Sequence, residues 1–117
     1  MKTACILMFL AALGGLAHGE SSIDPSEKYA YGANTGWINF EGDDTHGVVV
    51  GAAWLSGFAW SANCGWIDLG DGSPNNGLAY SNGSASDYGV NHDGAGNLTG
   101  NAYGANIGWI TFEPVSY

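Results

Sequence analysis

One ten-residue phrase occurs three times in this chain: YGANTGWINF at 31–40, WSANCGWIDL at 60–69 and YGANIGWITF at 103–112. In each copy an aromatic residue is followed three positions later by Asn. After one variable residue come Gly-Trp-Ile, a polar residue and a large apolar one. A tandem repeat means that one supersecondary unit is reused and that neighbouring units share a core. The Ala-Asn-x-Gly segment has a physical reason to be a hairpin turn. Asn tolerates the left-handed region and bonds its own backbone, and Gly accepts a positive φ at no steric cost. Loops of three to five residues of this kind link antiparallel strands.

The likeness extends backwards from the second and third copies, so that 47–69 lies over 89–112 with one extra residue in an early loop. A full unit then holds a short strand around Val48–Val50 or Val90, a Gly-rich turn, and a second strand at Leu55–Trp60 or Leu98–Tyr103. The Ala-Asn-x-Gly turn follows, and a third strand begins at the Trp. No segment keeps an apolar spacing of three and four, and Gly interrupts every candidate element, which argues against helix. The expectation is an all-β fold: a single small domain of repeated antiparallel three-stranded units, arranged as a sandwich, a prism or a short solenoid. Its parts are a partial unit at 29–42, a full unit at 45–70, a loop at 70–87 with at most a short strand at Leu78–Tyr80, and a full unit at 87–113.

Alternation along the strands separates two faces. Ile38 and Phe40, Ile67 and Leu69, and Ile110 and Phe112 share one face with the small residues Gly57, Ala59, Gly100 and Ala102. That face is the expected core. The other face carries one aromatic pair per hairpin: Tyr31 with Trp37, Trp60 with Trp66, and Tyr103 with Trp109. Asn39, Asp68 and Thr111 flank them, and these nine residues are the candidate ligand or interface residues. Two readings of the six rings are open. They form a second buried layer, covered by another sheet, by the 70–87 loop or by another subunit. Alternatively they are an exposed platform on which sugar C–H faces stack while amides and carboxylates take the hydroxyls. Six exposed rings would exceed the apolar patch of an ordinary monomer and so mark an interface.

Residues 1–19 read as a secretory signal peptide, with Lys2, an apolar run at Ile6–Leu16 and small residues at Ala17 and Gly19. That run is too short to span a bilayer, and no second stretch reaches transmembrane length. Beyond it, Lys28 is the one basic side chain against eleven acidic ones. Nucleic acid and anionic lipid both need a cationic face, so neither is an expected partner. Absence of Arg also removes the bidentate clamp for carboxylates and phosphates. Cys64 has no second cysteine after the leader, so the domain relies on packing, an ion or association with other chains.

Candidate chemistry is sparse. Asp87, Asn91 and Asp93 before Gly94 resemble part of a calcium loop, but the regular spacing and the late Glu are missing. A polar turn is the simpler reading, and no cofactor is expected. Carboxylate pairs such as Asp68 and Asp71 sit in short turns, where solvation explains them better than glycoside hydrolysis. His46 and His92 lack a third ligand, and Cys64 lacks a nearby base, so surface histidines and a packing cysteine are expected. Asn82 and Asn97 match the N-glycosylation pattern.

The stretch AWSANCGWIDLG at 59–70, with its partners at 30–41 and 102–113, resembles the recurring A-W-S-x-N-x-G-W-I repeat of uncharacterised secreted proteins of bacteria. The resemblance implies export and repetition and carries no activity. The expectation is therefore a secreted, non-enzymatic β-repeat protein with an extracellular structural or surface role, whose partners are copies of itself or the cell surface. The alternative is a carbohydrate-binding module that uses the Trp/Tyr ladder to hold glycans; a glycoside hydrolase is more remote.

Overall fold

The computed structural model describes residues 21–43 and 45–113, so the expected leader at 1–19 lies outside the described residues. The strands are β1 (Tyr29–Gly32), β2 (Gly36–Asn39), β3 (Val49–Val50), β4 (Leu55–Ser56), β5 (Phe58–Ser61), β6 (Gly65–Asp68), β7 (Val90–His92), β8 (Leu98–Gly104) and β9 (Gly108–Phe112). The described residues contain no helix, and none of their segments is a helix long and apolar enough to cross a membrane. Six strands form one antiparallel sheet in the order β9-β8-β6-β5-β2-β1, with β7 added alongside β8. The sheet curls into a half-barrel, and of the three arrangements expected from sequence it is none outright.

The three phrases are the three hairpins β1-β2, β5-β6 and β8-β9. Each closes through a three-residue loop, between Gly32 and Gly36, Ser61 and Gly65, and Gly104 and Gly108. The left-handed position belongs to the glycine alone: φ is +73° at Gly36, +79° at Gly65 and +80° at Gly108. The turn asparagines do not share it, because Asn82 is the one described non-glycine residue with positive φ. Asn63 instead reaches the previous hairpin, donating from Nδ2 to the Thr35 carbonyl at 3.1 Å. Ser61, fully buried, donates to the same carbonyl and accepts the N–H groups of Asn63 and Cys64.

The leading strands behave differently in the two longer segments. β7 joins the main sheet, with Val90 opposite Gly100 and His92 opposite Leu98. β3 pairs only with β4, as a separate two-stranded ribbon. Gly57, at φ +88°, stands between β4 and β5, and a Cβ there would strike the Gly47 carbonyl. Gly100 repeats this at φ +94° against the Gly89 carbonyl. Close backbone approach explains why glycine occupies both places.

The core lies on the expected aliphatic face. Val48, Ala59, Ile67, Leu69, Val90 and Ala102 are buried, and Ile38, Phe40, Leu98 and Ile110 pack against them. No second large sheet of described residues covers that face, so the curl leaves an apolar hollow of about 310 Å³ between its walls. Cys64 lines the hollow as a packing residue.

The expected short strand at Leu78–Tyr80 does not form. Tyr80 anchors the 70–87 loop by its ring, which lies where Cβ atoms at Gly70 and Gly89 would be. Its hydroxyl donates to the Leu55 carbonyl at 2.9 Å and accepts the Gly72 N–H at 2.8 Å. The Asn91 side chain supplies what a neighbouring strand would have given: Oδ1 accepts the Tyr80 N–H and Nδ2 donates to the Tyr80 carbonyl.

Candidate functional site

All six rings predicted to share a face do so, and they are exposed. Tyr31 and Trp37 are 64% and 63% accessible, Trp60 40% and Trp109 53%. Among the described residues, then, no second sheet buries them, and of the 70–87 loop only the 82–85 stretch, with Tyr88, approaches a ring, that of Trp109; cover by another subunit stays open.

Each pair meets in an edge-to-face or tilted contact, the arrangement that the ring quadrupole favours. Ring centroids are 5.0 Å apart for Tyr31–Trp37, 5.0 Å for Trp60–Trp66 and 5.1 Å for Tyr103–Trp109. A third ring attends the Gly-Trp-Ile tryptophan of each hairpin: Tyr29 at 6.2 Å from Trp37, Phe58 at 6.3 Å from Trp66 and Tyr88 at 4.9 Å from Trp109. Strand alternation already sets Phe58 on the Trp60 face from the sequence, whereas Tyr29 and Tyr88 were missed. Tyr29 stands two residues before Tyr31, so the same alternation could have placed it there. Tyr88 comes from the loop, where no periodicity reports on it.

The rings do not form a straight ladder. Asn39 stands opposite Trp60 and Asp68 opposite Tyr103, so each hairpin sits two residues further along its neighbour. One row across the sheet reads Tyr29, Asn39, Trp60, Trp66, and the next reads Phe58, Asp68, Tyr103, Trp109. The result is an oblique aromatic stripe with an amide or carboxylate set between rings.

Those polar groups also hold the backbone. Asn39 Oδ1 accepts the Glu41 N–H and Asp68 Oδ1 accepts the Gly70 N–H, each at 2.9 Å, closing the strand ends alike. Asp68 Oδ2 accepts the Tyr88 hydroxyl at 2.6 Å. Burial, and then this bond to a carboxylate, raise the Tyr88 hydroxyl well above the usual tyrosine range. Thr111 is exposed at the matching place on β9. Beside the second hairpin, Asp43 and His46 form a cleft of about 330 Å³ with Phe58 and Trp66. His46 Nδ1 lies 3.2 Å from the Asp43 carboxylate, whose titration is lowered first by the His46 backbone N–H.

The remaining carboxylates work on turns. All six described aspartates accept at least one backbone N–H. Asp87 is buried, takes the N–H groups of Asn75 and Ser81, and is held below the usual carboxylate range first by the Ser81 hydroxyl. Asn91 serves Tyr80, while Asp93 accepts from Asn97 and Ala95, and the Asn97 amide lowers its titration. The structure therefore gives the three calcium candidates separate tasks and does not bring them together. Among the described residues no three His, Cys, Asp or Glu side chains gather as a metal-holding group. His92 is engaged with the Gly51 carbonyl at 2.8 Å. Asn82 Oδ1 accepts the N–H groups of Gly89 and Asn101, while Nδ2, the atom that N-glycosylation would modify, donates to the Tyr80 carbonyl at 3.4 Å.

No protein-family model, no curated protein and no solved structure matches this chain.

Proposed function

We propose that this is a secreted, non-enzymatic structural protein that associates with copies of itself or with a cell surface. The observation that carries the reading is the state of the sheet's two ends. β1 and β9 each pair on one side only among the described residues, although every other strand of the six-strand path is paired on both. An open strand edge is a template for another strand. Two features add support. Charged residues are sparse, with 11% Asp, Glu, Lys and Arg together, and the six described aspartates are each engaged with a backbone N–H. The A-W-S-x-N-x-G-W-I resemblance and the expected leader both accord with export. Repetition of one building unit along the chain belongs to this reading as well: three hairpins with one turn and one stagger suit a protein that extends by addition.

Exposure of the aromatic stripe favours a second reading, carbohydrate binding. Rings alternating with Asn39 and Asp68, and the cleft of Trp66 and Phe58 beside Asp43 and His46, offer both the stacking surface and the hydroxyl partners that a sugar needs. The two readings separate in one pair of measurements on the purified protein. Negative-stain images showing discrete oligomers or filaments support the structural role. A uniform monomer whose Trp fluorescence shifts on titration with soluble glycans supports the lectin and removes self-association.

A further inference from the structure

The sheet contains two joints between hairpins, β2 to β5 and β6 to β8, and they are built alike. At the first, Ile38 faces Ser61 and Asn39 faces Trp60; at the second, Ile67 faces Gly104 and Asp68 faces Tyr103. At both, the turn asparagine of the following hairpin lies against the turn glycine of the preceding one. A Cβ on Gly36 would come 2.9 Å from Asn63 Nδ2, and a Cβ on Gly65 would overlap Asn106 Nδ2. The motif's Asn and Gly are thus two halves of one inter-hairpin contact, which explains why the phrase keeps both. At the second joint the Trp66 carbonyl also accepts the Ala105 N–H at 2.9 Å.

At the ends of the sheet the same parts are present without their counterparts among the described residues. Gly108 has no described atom within 4 Å of its Cβ position, and Asn34 is exposed in the first turn. Trp109, the equivalent of Trp66, lies on the edge strand β9, and Ala33, the equivalent of Ala105, follows the edge strand β1.

Resting on the self-assembly reading above, we propose that β9 of one copy pairs antiparallel with β1 of a second in the register of the internal joints. Thr111 then faces Tyr31 of the second copy, and Ile110 faces its Gly32. Asn34 of the second copy settles against Gly108, and its Ala33 N–H donates to the Trp109 carbonyl. The contact is head-to-tail, because two β1 edges or two β9 edges would bring Asn to Asn or Gly to Gly. The stripe continues through it, with Thr111 set before Tyr31 and Trp37 as Asp68 is before Tyr103 and Trp109. Such a heterologous contact closes into a ring or grows into a filament according to the rotation at each step. Mass distinguishes the two, and either accords with the proposal.

Cysteine trapping tests the register in the full-length protein. In a Cys5→Ser, Cys64→Thr background, the second change copying the Thr35 of the first hairpin, Tyr31→Cys and Thr111→Cys are combined in one chain. Facing residues in a ladder have Cα atoms about 5.5 Å apart, within disulfide reach. Mild oxidation is expected to give covalent dimers or a series of multimers, whereas Tyr29→Cys with Thr111→Cys, two residues out of register, stays monomeric under denaturing electrophoresis. Equal cross-linking by both pairs, or by neither, overturns the proposal. In parallel, Thr111→Pro, at an outward-facing edge position, is expected to abolish association at unchanged circular dichroism, and Asn34→Ala to weaken it several-fold. Association that survives both variants and both cysteine pairs would reject this joint yet leave self-assembly standing through another surface. A protein that is monomeric throughout would reject both.

Discussion

Ile67 and Trp66 are consecutive residues on one strand, yet one is 7% and the other 44% accessible. Ile67 faces the interior of the curl with Ala59 and Leu69, and Trp66 faces outward between Trp60 and Phe58. The aliphatic face does the work of folding, and small residues let neighbouring strands and loops press close to it. The aromatic face is organised by pairwise ring contacts that leave half of each ring in water. Rings organised in this way yet left exposed are the surface on which the proposed association or glycan binding would act.

Substitutions can break or sharpen this contrast. The largest effect is expected where the backbone itself is packed. Gly57→Ala or Gly100→Ala places a methyl group against a carbonyl at a positive φ and costs more than about 2 kcal/mol. Denaturant melting should show a loss of that size or failure to fold. Ile67→Ala is next, at about 2–4 kcal/mol for a buried aliphatic side chain. Tyr80→Phe leaves the Leu55 carbonyl and the Gly72 N–H without their partner in a buried site, a loss of about 1–3 kcal/mol. Trp66→Ala removes the largest side chain of the set and is nevertheless expected to cost only about 1 kcal/mol, because exposed ring pairs contribute little to folding. If Trp66→Ala proves more destabilising than Ile67→Ala, the division between the faces is wrong.

The smallest effect concerns pH. Burial pushes the Tyr80 hydroxyl up to about 12, whereas an unfolded tyrosine titrates near about 10. A raised folded value means that this contribution is intact below about pH 10 and is lost as the pH rises toward 12. Tyr80→Phe should flatten the alkaline limb of the stability curve. Asp87 has the opposite sign: its folded value is lowered, so its contribution is present above the ordinary carboxylate range and fades as acid protonates it.

Much of this was legible in the sequence for local reasons. The hairpins follow from Asn-x-Gly between alternating strands, and the sorting of Ile38, Ile67 and Ile110 away from Trp37, Trp66 and Trp109 follows from the strand period of two. What was not legible depends on how hairpins meet. The two-residue stagger that sets Asn39 beside Trp60 is a register between distant segments, which no local pattern encodes. For the same reason Asn63 reads as a turn former, although its amide reaches Thr35 across the joint. Tyr88 reaches Trp109 from a loop whose course is set by Tyr80, Asn82 and the buried Asp87, residues that look in sequence like ordinary turn composition.

Amide hydrogen exchange at rising protein concentration tests the self-association of the sheet's edges most directly. The account predicts that Tyr31 and Ala33 on one edge and Thr111 on the other gain protection as concentration rises, while the interior strands β5 and β6 do not change. Edge amides that exchange at one rate across the whole concentration range would contradict it.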